Sequence, residues 1–145
     1  MNRATVRHFR LGRYLNRRVD LDPTGDLLFR IRVEDSFDAS HIIPGHLGKC
    51  RNLHGHSYRV EMFVMGDKLD RNGILEGADF AELRKTLGEV VRRYDHMHLN
   101  DIIQDNTTAE NVAKVIFNEL RDSGARGLEK IRVWESPKGY AEYWE

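Results

Sequence analysis

The 145-residue sequence has little cysteine, no net charge and no long apolar run. Its single cysteine, Cys50, excludes an intrachain disulfide and fits a reducing, cytoplasmic environment. No apolar stretch approaches the ~20 residues that a membrane-spanning helix needs, and we find no signal peptide with an apolar centre. Basic residues (Lys and Arg) and acidic residues (Asp and Glu) number 23 each, so the whole molecule has no excess charge to attract nucleic acid. Internal repeats are also absent.

The charge that is present is unevenly distributed. Residues 1–18 contain six arginines and no acidic residue, and acids follow at Asp20, Asp22 and Asp26. Such a segment can contact RNA or a phosphorylated ligand, but it is also typical of a solvated extension or one that packs in an oligomer. The turn-forming residues 22–26 separate it from the first predicted strand. We therefore expect a basic N-terminal extension over residues 1–27 and a single domain over residues 28–145.

Apolar periodicity predicts four strands and two helices. Alternation indicates strands over about 28–38, 54–65, 128–135 and 140–144. Apolar residues at helical spacing follow the cap sequences at Asp79 and at Thr107-Thr108. The order strand-strand-helix-helix-strand-strand predicts an α+β fold, with two helices on one face of a four-stranded antiparallel sheet. The second strand is partly apolar on both faces, which suggests that a neighbouring subunit covers the other face.

The segment Cys50-Arg51-Asn52-Leu53-His54-Gly55-His56 contains residues suited to binding a metal. His54 and His56 are two residues apart in a predicted strand, so their side chains point to the same face. Imidazole is a common zinc ligand, and a catalytic zinc takes three protein ligands and keeps one position open. The nearest upstream candidates for the third ligand are His41 and His46. Of these, His41 follows the first strand, and antiparallel pairing would bring it beside His54.

Cys50 lies four residues before His54, between two cationic residues. Lys49 and Arg51 favour the thiolate, the reactive form of cysteine, as does a nearby metal. Two functions stay open: Cys50 is a fourth ligand that closes a structural zinc site, or an unligated base or nucleophile beside an open one. Taken singly, a His-x-His pair is often surface decoration and a lone cysteine is often a small buried apolar residue. Their occurrence together favours a metal site.

A second cluster of polar residues lies between the predicted helices, in Tyr94-Asp95-His96-Met97-His98-Leu99-Asn100. Asp95 beside His96 is a candidate acid–base pair, because a carboxylate can orient an imidazole and keep its proton affinity near neutral pH. Such pairs also commonly cap or hydrogen-bond other groups in loops. His96 and His98 form a second His-x-His pair that competes for the role of metal site. Glu135 ends an otherwise apolar strand, where an exposed acid is the simplest interpretation.

Taken in chain order, these sequence motifs resemble those of the family of 6-pyruvoyl- and 6-carboxy-tetrahydropterin synthases. The resemblance extends from Phe29 to the C terminus and rests on Phe37-Asp38-Ala39-Ser40-His41, Cys50-x-x-x-His54-Gly55-His56-Ser57-Tyr58, Asp95-His96-x-x-Leu99-Asn100 and Glu135. It implies a zinc ion held by His41, His54 and His56. It further implies a relay of Cys50, Asp95 and His96, and a pterin that the Glu135 carboxylate anchors. The implied fold is the tunnelling fold, in which sheets of several subunits join into a barrel, as a hexamer of two trimers with active sites between subunits.

The substrate that the resemblance implies is 7,8-dihydroneopterin triphosphate. Zinc would act as a Lewis acid, Cys50 would remove a proton from carbon with the Asp95–His96 pair as its partner, and triphosphate would be eliminated. The three residues between Cys50 and His54 resemble the carboxy branch, which also releases acetaldehyde and forms 6-carboxy-5,6,7,8-tetrahydropterin for queuosine and related deazapurines. The pyruvoyl branch, which stops after elimination and tautomerisation, is the alternative. An alternative of another class is a non-catalytic zinc module whose basic arm contacts RNA.

Overall fold

Two 13-residue strands form the centre of the fold. The computed structural model describes residues 28–145, so the expected extension over residues 1–27 lies outside the described residues. In chain order the elements are β1 (Phe29–His41), β2 (His54–Gly66), α1 (Phe80–Val91), β3 (Met97–His98), α2 (Ala109–Asp122), β4 (Leu128–Ser136) and β5 (Gly139–Trp144). Single 3-10 turns lie at Lys49–Arg51 and Leu99–Asp101.

The sheet has five strands in the order β3-β1-β2-β4-β5, so the prediction of a four-stranded antiparallel sheet is wrong in its count. The four predicted strands pair antiparallel, as expected. The fifth strand, β3, has two residues and pairs parallel with Ala39 and Ser40 of β1, which makes the sheet mixed. A strand of two residues is too short for alternation to reveal it. This pairing holds the segment that carries Asp95 and His96 at the edge of β1.

Both helices begin at the predicted cap residues. The Asp79 carboxylate accepts hydrogen bonds from the backbone N–H groups of Ala81 and Glu82, at 2.8 and 3.3 Å. The Thr108 hydroxyl accepts one from the backbone N–H of Asn111 at 3.4 Å. These bonds satisfy N–H groups that have no partner within the first helical turn. No helix in residues 28–145 has the length and apolar character needed to cross a bilayer.

The hydrophobic core lies between the helices and one face of the sheet. From β2 it contains four residues that alternate along the strand, and each is at most 2% exposed: Tyr58, Val60, Met62 and Val64. The apolar sides of the helices cover them, and these include Leu83, Leu87, Val112, Ile116 and Leu120. Burying one such side chain contributes roughly 1.5–3 kcal/mol to folding. Burial of these side chains therefore favours a single pairing register of the strands. The covered face ends at the histidines described below.

The opposite face of the sheet is covered in part by the chain's own long cationic side chains. Phe63 is only 8% exposed, because the Lys130 ammonium and the Arg132 guanidinium lie 4.7 and 5.1 Å from its ring centroid. Glu61 is 4% exposed and is paired with Arg132 at 3.1 Å, and it accepts a hydrogen bond from the Trp134 indole at 2.8 Å. Long side chains can bury their apolar stems while their charged ends stay hydrated. Coverage of this face by a neighbouring subunit stays a prediction.

Candidate active site

Three histidines converge where β1 ends and β2 begins. In the antiparallel register His41 is opposite His54, and His56 is opposite Ala39. Each lies an even number of residues from the buried Tyr58 or Phe37 of its own strand, so all three point to the helix-covered face. Their ligand nitrogens lie within 4.8 Å of one another. The pairing expected from the sequence is confirmed.

The fold selects His41 over His46 as the third member of this cluster. His41 is fully buried, whereas His46 is exposed in the loop between β1 and β2. The Nδ1 atom of His46 accepts a hydrogen bond from the backbone N–H of Gly48 at 2.9 Å, which closes a local turn. The loop geometry thus gives His46 a role in its own turn and keeps it out of the cluster.

Backbone carbonyls fix which ring nitrogen of two histidines faces the centre of the cluster. His41 Nδ1 donates to the carbonyl of Thr107, and His54 Nδ1 donates to the carbonyl of Asn52, each at 2.7 Å. A neutral imidazole has one N–H, so the Nε2 atom of each ring keeps a lone pair. These two Nε2 atoms are 2.9 Å apart, and two lone pairs at that distance repel unless a proton or a cation lies between them. The donor set therefore fits a metal ion that prefers imidazole, such as zinc.

Burial favours the neutral, metal-binding form of the His41 and His56 imidazoles. Desolvation lowers the pKa of His41, the hydrogen bond to Thr107 partly opposes this, and the charges of His54 and His56 lower it further. Burial also lowers the pKa of His56, and the charge of His54 adds to the effect. A metal must displace any proton from the nitrogen that it binds. A ring that resists protonation binds a cation at a lower cost in free energy, because no proton has to be removed first.

Glu135 faces the same cluster from β4. Its Oε1 atom lies 4.0 Å from His41 Nε2, and this oxygen is buried with no hydrogen-bond partner among the described residues. Burial raises the pKa of Glu135, and the negative charge of Glu110 raises it further, while His54 opposes the shift. A buried acceptor without a donor costs about 1–3 kcal/mol. The side chain thus points inward and offers an unused acceptor, in contrast to an exposed acid at a strand end.

Cys50 lies in the loop between β1 and β2 and is not a member of the histidine cluster. It is half-buried in the 3-10 turn Lys49–Arg51, and its carbonyl accepts a hydrogen bond from the backbone N–H of Ile43 at 2.8 Å. Among residues 28–145, the ligand group at this position comprises the three histidines and not the Cys50 thiol. The choice between an unligated base and a fourth ligand stays a prediction.

Asp95 and His96 form a hydrogen-bonded pair at the outer edge of β1. Asp95 Oδ2 lies 2.9 Å from His96 Nδ1, and Asp95 Oδ1 accepts a hydrogen bond from the backbone N–H of Asp38 at 2.9 Å. The bond from Asp38 and then the bond from His96 lower the pKa of Asp95. His98 instead faces Ser40, with Nδ1 3.1 Å from Oγ. The carboxylate therefore orients the imidazole of His96, as expected, and His98 is engaged elsewhere.

The backbone of His96 is strained, and its side chain is accessible. Its φ angle of 59° lies in the left-handed region, which costs a non-glycine residue about 1–2 kcal/mol. A hydrogen bond of 2.6 Å from its N–H to the Asp38 carbonyl holds this conformation. The side chain is 79% exposed, and no hydrogen bond or ion pair within residues 28–145 joins it or Asp95 to Cys50. One chain therefore does not assemble the expected relay by direct contact.

Comparison with known proteins identifies the family. The family model described as 6-pyruvoyl tetrahydropterin synthase matches residues 30–145, which is more than half of the chain. The chain belongs to this family. Within it, the 6-carboxy-5,6,7,8-tetrahydropterin synthase of Haemophilus influenzae is 32% identical over 142 residues, covering 81% of this chain and 100% of the relative. The enzyme of the same name from Synechocystis is 39% identical over 117 residues, covering 78% and 91%.

A solved pterin synthase structure has the same fold. The structure of Caenorhabditis elegans 6-pyruvoyl tetrahydropterin synthase matches this one with a TM-score of 0.72 at 26% identity, over 83% of this chain and 97% of that chain. The expected α+β tunnelling-type fold is thus confirmed, with two helices and a mixed five-stranded sheet. The members named here are enzymes that act in pterin synthesis, so this chain belongs to a family of pterin synthases.

The sequence pattern places Thr107 in the cap segment before α2 but does not predict its contact with His41. Thr107 precedes the Thr108 cap of α2, is fully buried and uses its carbonyl to orient His41. The signal was a pair of adjacent threonines before a helix, since one residue suffices for the cap. The second threonine was therefore available for another contact.

The histidine cluster predicts a specific difference between two single substitutions. We expect His41→Ala to weaken zinc binding by more than about 100-fold. Removal of a group that only orients a metal ligand already weakens metal binding by up to about 100-fold, and removal of the ligand itself should cost more. The matched control His46→Ala should bind zinc as the unsubstituted protein does. Chelator competition on the purified variants measures both affinities. Equal zinc affinities for the two variants would contradict the assignment of His41.

Proposed function

We propose that this protein converts 7,8-dihydroneopterin triphosphate and water to 6-carboxy-5,6,7,8-tetrahydropterin, triphosphate and acetaldehyde, in zinc-dependent synthesis of queuosine and related deazapurines. The observation that carries the proposal is the convergence of three imidazoles, two with facing lone pairs, beside a Glu135 oxygen that has no hydrogen-bond partner among the described residues. Both the Haemophilus and the Synechocystis relatives are named for the carboxy product. A cytoplasmic location stays part of this proposal.

His41, His54 and His56 would hold the zinc ion, which when bound supplies Lewis acidity toward the side-chain hydroxyls of the substrate. Three protein ligands are typical of catalytic zinc sites, which keep one position for substrate or water. The two carbonyl-bonded rings are already oriented for ligation. The chain therefore gives up little conformational freedom when the ion binds.

Glu135 would anchor the pterin. A carboxylate can accept hydrogen bonds from two neighbouring N–H donors of a flat heterocycle, which fixes both position and orientation. Its buried Oε1 has no donor within residues 28–145, so a pterin N–H would satisfy an acceptor that this part of the chain leaves unpaired. Its distance of 4.0 Å from His41 Nε2 would hold the substrate next to the metal ligands. Positioning of this kind is a major part of catalysis.

Cys50 would remove the proton from the substrate carbon, as a thiolate favoured by its neighbours Lys49 and Arg51. His96, oriented by Asp95, would exchange this proton with the thiol. Because one chain does not bring Cys50 into contact with the exposed His96, we place the two on different subunits of an oligomer, expected to be a hexamer of two trimers.

The product decides between the branches of the family. We expect the zinc-loaded protein, given 7,8-dihydroneopterin triphosphate, to form 6-carboxy-5,6,7,8-tetrahydropterin, triphosphate and acetaldehyde, as detected by mass spectrometry. A pyruvoyl product without acetaldehyde would select the elimination-only alternative. Bound zinc without any turnover would instead favour the non-catalytic zinc module.

The separation of Cys50 from His96 predicts complementation between inactive variants. Cys50→Ala and His96→Ala should each keep zinc and lose turnover, because each lacks one member of the relay. Random mixing of the two variants in one oligomer should restore about one quarter of wild-type activity, since that fraction of shared sites is intact. Mixed and unmixed preparations are compared by product formation. Loss of zinc from Cys50→Ala would make Cys50 a ligand, and absence of recovery on mixing would contradict the intersubunit relay.

The Glu135 Oε1 atom, which has no hydrogen-bond partner in residues 28–145, predicts the effect of an isosteric change. Glu135→Gln should weaken substrate binding about 10–100-fold, because a hydrogen bond to a charged group is worth about 1.5–3 kcal/mol. Glu129→Gln is the control, because Glu129 lies in the same strand and pairs with Arg30 at 2.6 Å. Calorimetric titration in a Cys50→Ala background avoids turnover. Unchanged affinity in Glu135→Gln would remove the anchor role.

A further inference from the structure

Asn100 holds the main chain of Ile42 by two hydrogen bonds. Its Oδ1 accepts from the Ile42 N–H at 2.9 Å, and its Nδ2 donates to the Ile42 carbonyl at 3.0 Å. The amide therefore offers the same donor and acceptor that a paired strand residue would offer. β1 ends at His41, one residue earlier. Asn100 thus pairs with Ile42 beyond the end of β1. Ile42 directly follows His41, a candidate metal ligand.

Thr107 contacts the same peptide and the imidazole of His41. Its hydroxyl donates to the Ile42 carbonyl at 3.1 Å and also lies 3.4 Å from Asn100 Oδ1 and 3.3 Å from His41 Nδ1. Its carbonyl accepts the His41 Nδ1–H at 2.7 Å. Thr107 and His41 are both fully buried. Asn100 and Thr107 therefore hold His41 and Ile42 together, and we call these two residues the clamp.

The clamp distinguishes His41 from His54. His54 is oriented by a carbonyl two residues away, in its own segment. His41 is the last residue of β1, and its imidazole partner is 66 residues away in the sequence. The direction of His41 Nε2 therefore depends on the connection between α1 and α2, whereas His54 depends on local structure.

We propose that Asn100 is a positioning residue for the metal centre, which fixes His41 through the Ile42 peptide and Thr107. This inference rests on the metal-binding part of the proposed function and not on the reaction catalysed. Groups that orient metal-binding histidines commonly affect metal affinity by about 10–100-fold when they are removed. Asn100 acts at one remove, because its amide touches the backbone next to the ligand and not the imidazole itself.

Zinc affinity and cobalt spectroscopy test the clamp without any assay of activity. Asn100→Ala removes both bonds to Ile42, and Asn100→Asp keeps the acceptor for the Ile42 N–H but loses the donor. Asn106→Ala is the matched control, because Asn106 is exposed in the same connection and its side chain makes no hydrogen bond in residues 28–145. We expect zinc affinity about 10–100-fold weaker in both Asn100 variants and unchanged in the control. The visible bands of the Co²⁺-loaded Asn100 variants should change as well.

The measurements are made on folded protein, below the unfolding midpoint of each metal-free variant, so that a purely structural role is separated from positioning. A purely structural role would lower that midpoint and leave zinc affinity and the cobalt bands as in the unsubstituted protein, which would overturn the inference. If Asn100→Ala does not fold, Asn100→Asp decides by the same criterion.

Failure of the unsubstituted protein to bind zinc would overturn both this inference and the metal centre. Zinc binding that needs Asn100, without turnover of the pterin triphosphate, would support the clamp and overturn only the proposed reaction.

Discussion

The antiparallel ladder between β1 and β2 is the constraint on which the site depends. Side chains alternate along a strand, so a slip of one residue would turn every side chain to the other face. In the observed register His41 lies opposite His54, and Phe37 lies opposite Tyr58, with their rings stacked at 4.8 Å. The aromatic pair belongs to the core, and the histidines continue the same face. Core packing and convergence of the imidazoles are therefore two results of one hydrogen-bond pattern.

The remaining groups of the site lie around this ladder in three different settings. Glu135 shares the covered face and faces the histidines, Cys50 lies in the loop that joins the two strands, and the Asp95–His96 pair lies at the outer edge of β1. The covered face is apolar, and burial there lowers the pKa of His41 and His56, whereas the edge is open to solvent. This division suits a site in which metal binding is built into each chain and proton transfer uses an accessible imidazole.

Much of this arrangement could be predicted from the sequence, because it depends on short-range geometry. The pairing of His54 with His56 follows from the two-residue period of a strand, and the helix starts follow from caps such as Asp79. The inward direction of Glu135 also had a signal, since it alternates with the buried Ile131 and Val133. The five-stranded count had none, because β3 is two residues long and its pairing is with a distant strand.

By itself, the sequence determined which side chains share a face, where the helices begin and which residues suit a metal, because strand period, helix period and ligand chemistry are local properties. Only the tertiary structure decided that His46 closes its own turn, and that Thr107 and Asn100 hold His41 in place. The contacts that orient His41 span 58 to 66 residues of sequence. They form only when the sheet has paired and the connection between the helices has packed against its edge, which no local pattern encodes.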